Sequence, residues 1–185
     1  MSEKNAPLIW VDLEMTGLEP ERDAIIEFAA VITDDQLKVV AEFEDCALFQ
    51  PESRFQMMDE WNRKHHSNSG LWSKVCASSL TVPELETKLI QWASQFTEAR
   101  TSPLCGNSIW QDRRFISRYM PKFDQFLHYR MIDVSTIKVL AQRWYPKQKY
   151  DKKAQHRAKD DILESIDELR YYRSELFKSD TKASQ

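Results

Sequence analysis

The apolar pattern of the chain changes period part-way along, and that change constrains the fold more than any other feature. Three segments in the first fifty residues are dense in apolar and β-branched side chains: Leu8–Leu13 (LIWVDL), Ala24–Thr33 and Leu37–Phe49. They read as strands, the last two joined by a hairpin turn at Asp34-Asp35-Gln36. Beyond residue 50, helical spacing takes over. Gln56–His65 reads as a helix. Thr81–Phe96 is a stronger case, because Leu85, Leu89, Trp92 and Phe96 recur at helical spacing and Thr81 with Glu84 makes a capping box. Pro103-Leu104-Cys105 reads as a short strand leading into Gly106. Asp112–Met120 and Val134–Trp144 read as helices, with a strand at Met131-Ile132-Asp133 between them. Asp161–Phe177 reads as the final helix, with Ile162, Ile166, Leu169 and Leu176 along one face. Strands first, then helices alternating with short strands, predict an α/β fold on a mixed sheet. Residues 1–177 are expected to form one domain and Lys178–Gln185 a polar tail that frays.

Composition narrows the chemistry. Only Gly17, Gly70 and Gly106 are glycine in 185 residues, where roughly a dozen would be ordinary. A dinucleotide fingerprint needs three closely spaced glycines and a P-loop two, so Gly-rich phosphate loops are excluded. Cys46, Cys76 and Cys105 form neither a disulfide framework nor a metal clamp, and each reads as a small buried hydrophobe. With no apolar run of membrane-spanning length and no secretory leader pattern, a cytoplasmic location is expected. Charge is unevenly spread. Residues 1–50 carry 12 acidic and 3 basic side chains, whereas residues 101–150 carry 3 acidic and 9 basic ones. Packed into one domain, that asymmetry would set a cation site beside a phosphate-binding surface, although scattered solvated charges would give the same tally.

The carboxylates are more specific. Asp12 and Glu14 end the first strand, and residues i and i+2 of a strand project from one face. Two acids side by side there repel each other and are costly to bury. A D-x-E alone is common, and by itself reads more readily as two solvated acids. Gly17 follows in DLEMTGL, where a turn without a Cβ would let a substrate approach the backbone. Asp112 opens a helix after the Gly106-Asn107-Ser108 turn, and Asp161 opens the last one. His156 lies five residues before Asp161, on a different face of any continuous helix, so it belongs to the loop KKAQHRAKD and is free to lean over whatever Asp161 holds. Spacing does not choose between Asp160 and Asp161, and helix capping explains either. Mg2+ and Mn2+ favour oxygen ligands. Four carboxylates would balance two such ions, a pair that clamps the attacking and leaving oxygens of a phosphodiester. A neutral histidine beside them could take a proton from water. Zinc is disfavoured, since there is no HExxH, no CxxC and no histidine cluster beyond His65-His66.

Asp12-Leu-Glu14-Met-Thr-Gly17-Leu18, then Gly106-Asn107-Ser108 with Asp112, then His156-x4-Asp161 resemble the three motifs of the DEDDh 3′→5′ exonucleases, in order and across nearly the whole chain. The flanks LIWVDLEMTGL, CGNSIWQDRRF, RMIDVST and HRAKDDI are similar to members of that family that act on very short RNA. The resemblance implies an RNase H-like fold, a mixed five-stranded sheet flanked by helices. It implies two Mg2+ or Mn2+ ions held by Asp12, Glu14, Asp112 and Asp161, with His156 as general base, and it selects Asp161 over Asp160. The implied substrate is short single-stranded RNA, especially dinucleotides, cut from the 3′ end to nucleoside 5′-monophosphates.

Further roles carry over from the same resemblance. Leu18 would wedge between two bases and Trp61 would stack on one; a simple core position is the alternative for each, and for Trp61 the residue type alone favours it. Ser108, Arg130 and Ser135 would cap the 5′ phosphate; alternatively they are a turn hydroxyl, a surface cation and a helix cap. Arg130 suits the role best, because a guanidinium reads phosphate bidentately. His66 and Tyr129 would lie near the substrate, Tyr129 reaching it from the partner subunit of a homodimer, although no sequence pattern shows dimerisation independently. Three other readings stay open: a general exonuclease trimming longer DNA or RNA, a non-catalytic binding module, and metal-independent glycoside hydrolysis by two carboxylates.

Overall fold

A computed structural model describes residues 6–150 and 158–177 of the protein. His156 and the tail 178–185 lie outside the described residues. The chain opens with β1 (Leu8–Met15), β2 (Ile25–Thr33) and β3 (Val39–Ala47). Helices α1 (Glu52–Met57), α2 (Glu60–Asn68), α3 (Leu71–Ala77) and α4 (Val82–Ala93) follow. Then come β4 (Leu104–Gly106), α5 (Ile109–Tyr119), α6 (Pro121–Phe126), β5 (Met131–Asp133), α7 (Val134–Trp144) and α8 (Ala158–Leu176). The five strands form one sheet in the order β3-β2-β1-β4-β5. β1, β2 and β3 pair antiparallel, while β4 and β5 add in parallel beside β1. The mixed five-stranded sheet expected from the sequence is the one observed.

β1 and β2 read as near-continuous apolar runs because both of their faces are covered. On one face Ile9, Val11, Leu13, Phe28 and Ile32 pack with Leu85 and Leu89 of α4, Phe115 of α5 and Phe123 of α6. On the other, Trp10, Ala29 and Val31 pack with Val134 of α7 and with Ile162, Ile166 and Tyr172 of α8. Alternation along β1 therefore sends Asp12 and Glu14 to the face that α8 covers.

Several boundaries differ from the sequence reading, each for a local reason. The helix expected over Gln56–His65 is two helices. Met58 is extended (ψ 150°), and Asp59 then caps α2 by accepting from the Asn62 N–H at 2.8 Å. Leu37 leaves the third strand because it closes the turn at φ +66°, its N–H on the Asp34 carbonyl, with the side chain still buried. α5 and α8 each begin three residues before the aspartate expected to open them, so Asp112 and Asp161 are the fourth residues of their helices. α3 was not expected; it starts after Gly70 at φ +73° and lays Leu71, Trp72 and Val75 against Ile26 and Met58. Its outer side carries Cys76, which is exposed and corrects the buried reading of that cysteine; Cys105 is buried and Cys46 half-buried.

Two glycines are required by close approach. A Cβ on Gly106 would sit 3.0 Å from the Val11 carbonyl and 2.9 Å from Ile109 Cδ1, so glycine is what lets α5 pack at the end of β4. A Cβ on Gly17 would fall 2.4 Å from Asp23 Oδ2. That carboxylate accepts from the Glu19 N–H and braces the 16–24 loop, so Asp23 by itself calls for a glycine here.

The short helix α6, also unexpected, is held from a distance. The buried Glu86 of α4 accepts from the N–H groups of Lys122 (2.7 Å) and Phe123 (3.1 Å), two of the donors a helix start leaves unpaired. Glu86→Ala is expected to lower stability by about 2–3 kcal/mol, since it strands buried donors. Urea unfolding should show a lower midpoint at unchanged slope. An unchanged midpoint would remove Glu86 from the cap.

Candidate active site

β4 is only three residues long and pairs with β1 at Ile9 and Trp10 alone. Beyond Trp10 this edge of β1 has no strand beside it, and a side chain takes over: the Leu13 N–H donates to Asp112 Oδ1 at 3.1 Å. Asp112 is thus pinned, buried, against the strand segment that carries Asp12 and Glu14. From the other layer α8 brings Asp161. Carboxylate oxygens of Asp12, Glu14 and Asp161 lie within 4.8 Å of one another.

So many acids in one place resist ionisation. Burial lifts the Asp12 carboxyl well above its ordinary range, and the charges of Asp112, Glu14, Asp161 and Glu27 push the same way. Glu14 is raised to about 7, first by burial and then by Glu27 and Asp161. Glu27 is its cross-strand neighbour on β2. Burial raises Asp112 to about 7 as well, partly opposed by the bond from Leu13. A cluster of oxygen donors that holds its protons near neutral pH is one that a divalent cation can occupy by displacing them. The donor set therefore fits Mg2+ or Mn2+, with Asp12, Glu14, Asp112 and Asp161 as the groups that could hold it.

A second grouping adjoins the first. Donor atoms of Glu14, His65 and His66 also lie within 4.8 Å of one another. His66 is buried, its Nε2 pairs with the Met15 carbonyl at 3.0 Å, and Nδ1 has no partner among the described residues. A carbonyl only accepts, so Nε2 carries the proton and Nδ1 the lone pair. Burial lowers the ring's pKa and keeps it neutral. His65 was not singled out from the sequence. Its ring lies parallel to that of Trp61, with centroids 5.0 Å apart. Its signal was its place beside His66, four residues after Trp61, one turn of helix away.

Leu18 and Trp61 are 64% and 69% exposed, which overturns the core reading of both. Leu18 is steadied from behind, its carbonyl accepting from Gln111 Nε2 at 2.6 Å and Arg114 at 3.4 Å. Gln111 was also overlooked, although it sits next to Asp112 in α5.

Ser108 and Ser135 come together. Ser108 caps α5 at φ +50°, and its N–H donates to Asp133 Oδ1 and Ser135 Oγ, both at 3.0 Å. The two hydroxyl oxygens are 3.2 Å apart. Asp133, not Ser135, caps α7. Arg130 is exposed just before β5, with its guanidinium 5.2 Å over the Tyr129 ring, and Tyr129 is itself 72% exposed.

Comparison with known proteins agrees with this geometry. A family model described as Exonuclease (RNase_T) matches residues 9–169. The chain is 51% identical to the oligoribonuclease of Dichelobacter nodosus, over 96% of this chain and 98% of that protein. It is 53% identical to that of Azoarcus sp., over 92% and 95%. Among solved structures, exonuclease I from Methylocaldum szegediense superposes with a TM-score of 0.70 at 15% identity. Exonuclease I of E. coli, solved in complex with a 5cy-dT13 oligonucleotide, gives the same TM-score at 14% identity. Each comparison covers 92% of this chain but 41% of the larger enzyme, so it shows a shared RNase H-like fold. Model, relatives and fold coincide on the strand and helices that carry the acids, and the chain belongs to the oligoribonuclease family of exonucleases.

Proposed function

We propose that this protein is a 3′→5′ exoribonuclease that converts very short single-stranded RNA, dinucleotides above all, to nucleoside 5′-monophosphates. The observation that carries the reading is the convergence of Asp12, Glu14 and Asp161 on one point, with Asp112 pinned beside them. These four would hold two divalent ions, Mg2+ or Mn2+. Such ions, when bound, polarise the scissile phosphate and make water a better nucleophile at neutral pH. His156 would accept the proton of the attacking water; its role rests on the sequence motif alone.

The remaining residues position the substrate. Exposed Leu18 would separate the two bases. Trp61, already stacked on His65, would extend that platform to a base. His66, its Nε2 tied to the Met15 carbonyl, would lie near the substrate. Ser108, Ser135 and Arg130 would receive the 5′ phosphate and close the far end of the site, which explains why length is limited. Tyr129 would reach the site from the partner in a homodimer. Exposed Trp110 and Met131 support an assembly through this side, where Arg113 lines both the cavity beside them, about 580 Å³, and the one beside Tyr129, about 420 Å³. A cytoplasmic location suits three free cysteines. No described helix is long and apolar enough to cross a membrane.

Substrate length is the decisive test. With Mn2+ present, 5′-labelled RNA of two nucleotides should be consumed at least ~10-fold faster than RNA of seven, giving mononucleotides, a discrimination of ~1.4 kcal/mol or more in the barrier. EDTA should stop both reactions. Equal rates would favour a general exonuclease, and activity surviving EDTA would remove the metal mechanism.

Asp112→Asn keeps the shape of the side chain and should cost at least ~100-fold in turnover with the fold intact by circular dichroism, because even residues behind a metal ligand cost up to that much. Wild-type turnover in this variant would exclude Asp112 from the centre.

Proton linkage gives a third expectation. Glu14 and Asp112 titrate near 7 when folded and near 4.5 and 3.8 otherwise. Their raised values stabilise the metal-free fold at low pH, and that contribution is lost as pH climbs from about 4 to about 7. Cations compete with those protons. The gain in Tm on adding Mn2+ should therefore be larger at pH 8 than at pH 5, and a gain independent of pH would contradict carboxylate ligation.

A further inference from the structure

The Gly106-Asn107-Ser108 turn is the end of a hydrogen-bond chain whose direction is set deep in the second core layer. Glu168 of α8 is 0% exposed. Its Oε1 lies 3.0 Å from Lys138 Nζ of α7 and accepts from the Tyr172 hydroxyl at 3.2 Å. Oε2 accepts from Asn107 Nδ2 at 3.2 Å. The same Nδ2 donates to Ser165 Oγ at 2.7 Å, and Ser165 passes its own proton to the Asp161 carbonyl at 2.8 Å. With its amino group engaged on α8, Asn107 turns its carbonyl oxygen toward α7, where the Ser135 hydroxyl donates to it at 3.1 Å. A serine has one hydroxyl proton. Ser135, having given its proton to Asn107, can only accept from Ser108, and it does so from the N–H and is placed to do so from the hydroxyl.

We infer that Glu168 is a positioning residue for recognition of the substrate's 5′ phosphate. It fixes the amide of Asn107 in one orientation, which draws the Ser135 proton inward and leaves Ser108 as the hydroxyl that meets the phosphate. Ser135 braces Ser108 at that end of the site. This inference rests on the reading of Ser108, Ser135 and Arg130 as the phosphate end of the site. A side chain with two acceptor oxygens is what the position requires. Three donors (Asn107, Lys138 and Tyr172) converge on Glu168, and only an acceptor with two free oxygens satisfies all three. Lys138 supplies the counter-charge that makes the buried anion tolerable. A glutamine would offer one oxygen to the three donors and a donor of its own, and Asn107 would be free to turn over.

The readout is a ratio, kcat/KM for a 5′-phosphorylated diribonucleotide divided by that for the same dinucleotide with a 5′ hydroxyl. Asn107→Asp sets acceptor against acceptor at Glu168. The ratio should fall at least ~10-fold, in KM more than in kcat, as expected for hydrogen bonds to a charged group. Adding Glu168→Gln places a donor opposite the new carboxylate and leaves its other oxygen to accept from Ser135, so the double variant should recover to within about threefold of wild type by the logic of a double-mutant cycle. Additive losses, the result of mere packing damage, would overturn the inference. A second comparison does not depend on the buried variant folding: Ser108→Ala should lower the ratio more than Ser135→Ala, and the reverse order would overturn the inference. Arg130→Ala separates the two levels. If wild type shows no preference for the phosphate, or Arg130→Ala keeps it, the phosphate reading fails and the inference falls with it. If Arg130→Ala abolishes the preference while Asn107→Asp retains it, the inference alone is wrong.

Discussion

Like charge held at close range is the constraint on which the structure turns. Asp12, Glu14, Asp112 and Asp161 come from three elements distant in sequence, and the first three are raised in pKa by burial and by neighbouring acids. Each unit of such a shift is ~1.4 kcal/mol of preference for the protonated form. A loosely folded chain would relieve the repulsion by moving the acids apart. This one is prevented from doing so by two apolar layers: α4, α5 and α6 on one face of β1 and β2, α7 and α8 on the other. The sheet's central strand cannot shift without disturbing both.

The parallel strands matter for where they stop. Because β4 covers only Ile9 and Trp10 of β1, the strand's next free donor, at Leu13, is available to a side chain instead of a neighbour. Asp112 takes it. Gly106 lets α5 approach closely enough for that bond, since a Cβ there would meet the Val11 carbonyl. A short strand, a glycine at its end and an aspartate one turn into the next helix act together. Lengthening β4 by two residues would give its partner the donor that now orients an acid.

Much of this was legible in the amino acids. The strands announced themselves by apolar density, and period-two alternation placed Asp12 and Glu14 on one face before any contact was known. The capping box at Thr81 and Glu84 is present, the Thr81 N–H donating to Glu84 at 2.9 Å. What escaped depends on distant partners. α6 is started by Glu86, 36 residues away, and no local spacing encodes that bond. The break in the predicted helix over Gln56–His65 lay in one side chain, Asp59, that caps a new helix where a continuous one was plausible. Leu18 and Trp61 misled in the other direction. Large apolar residues are ordinarily core, and only the motif flanks set these two apart, which is why their exposure is informative. His156, the residue on which the acid–base chemistry would depend, was legible only as part of a motif.

The buried acids fall into two kinds, and the contrast says what each is for. Glu86 and Glu168 are as buried as Asp112, and each is met by several donors: two backbone N–H groups for Glu86, and an ammonium, an amide and a phenol for Glu168. Both act as fixed acceptors that orient other groups. Asp12 has the opposite surroundings, since burial and four neighbouring carboxylates all act against its ionisation. On the same layer Lys138 is engaged by Glu168. A divalent ion held by that cluster would bring positive charge from solution and would tie the electrostatic balance of the fold to the centre that the reaction uses.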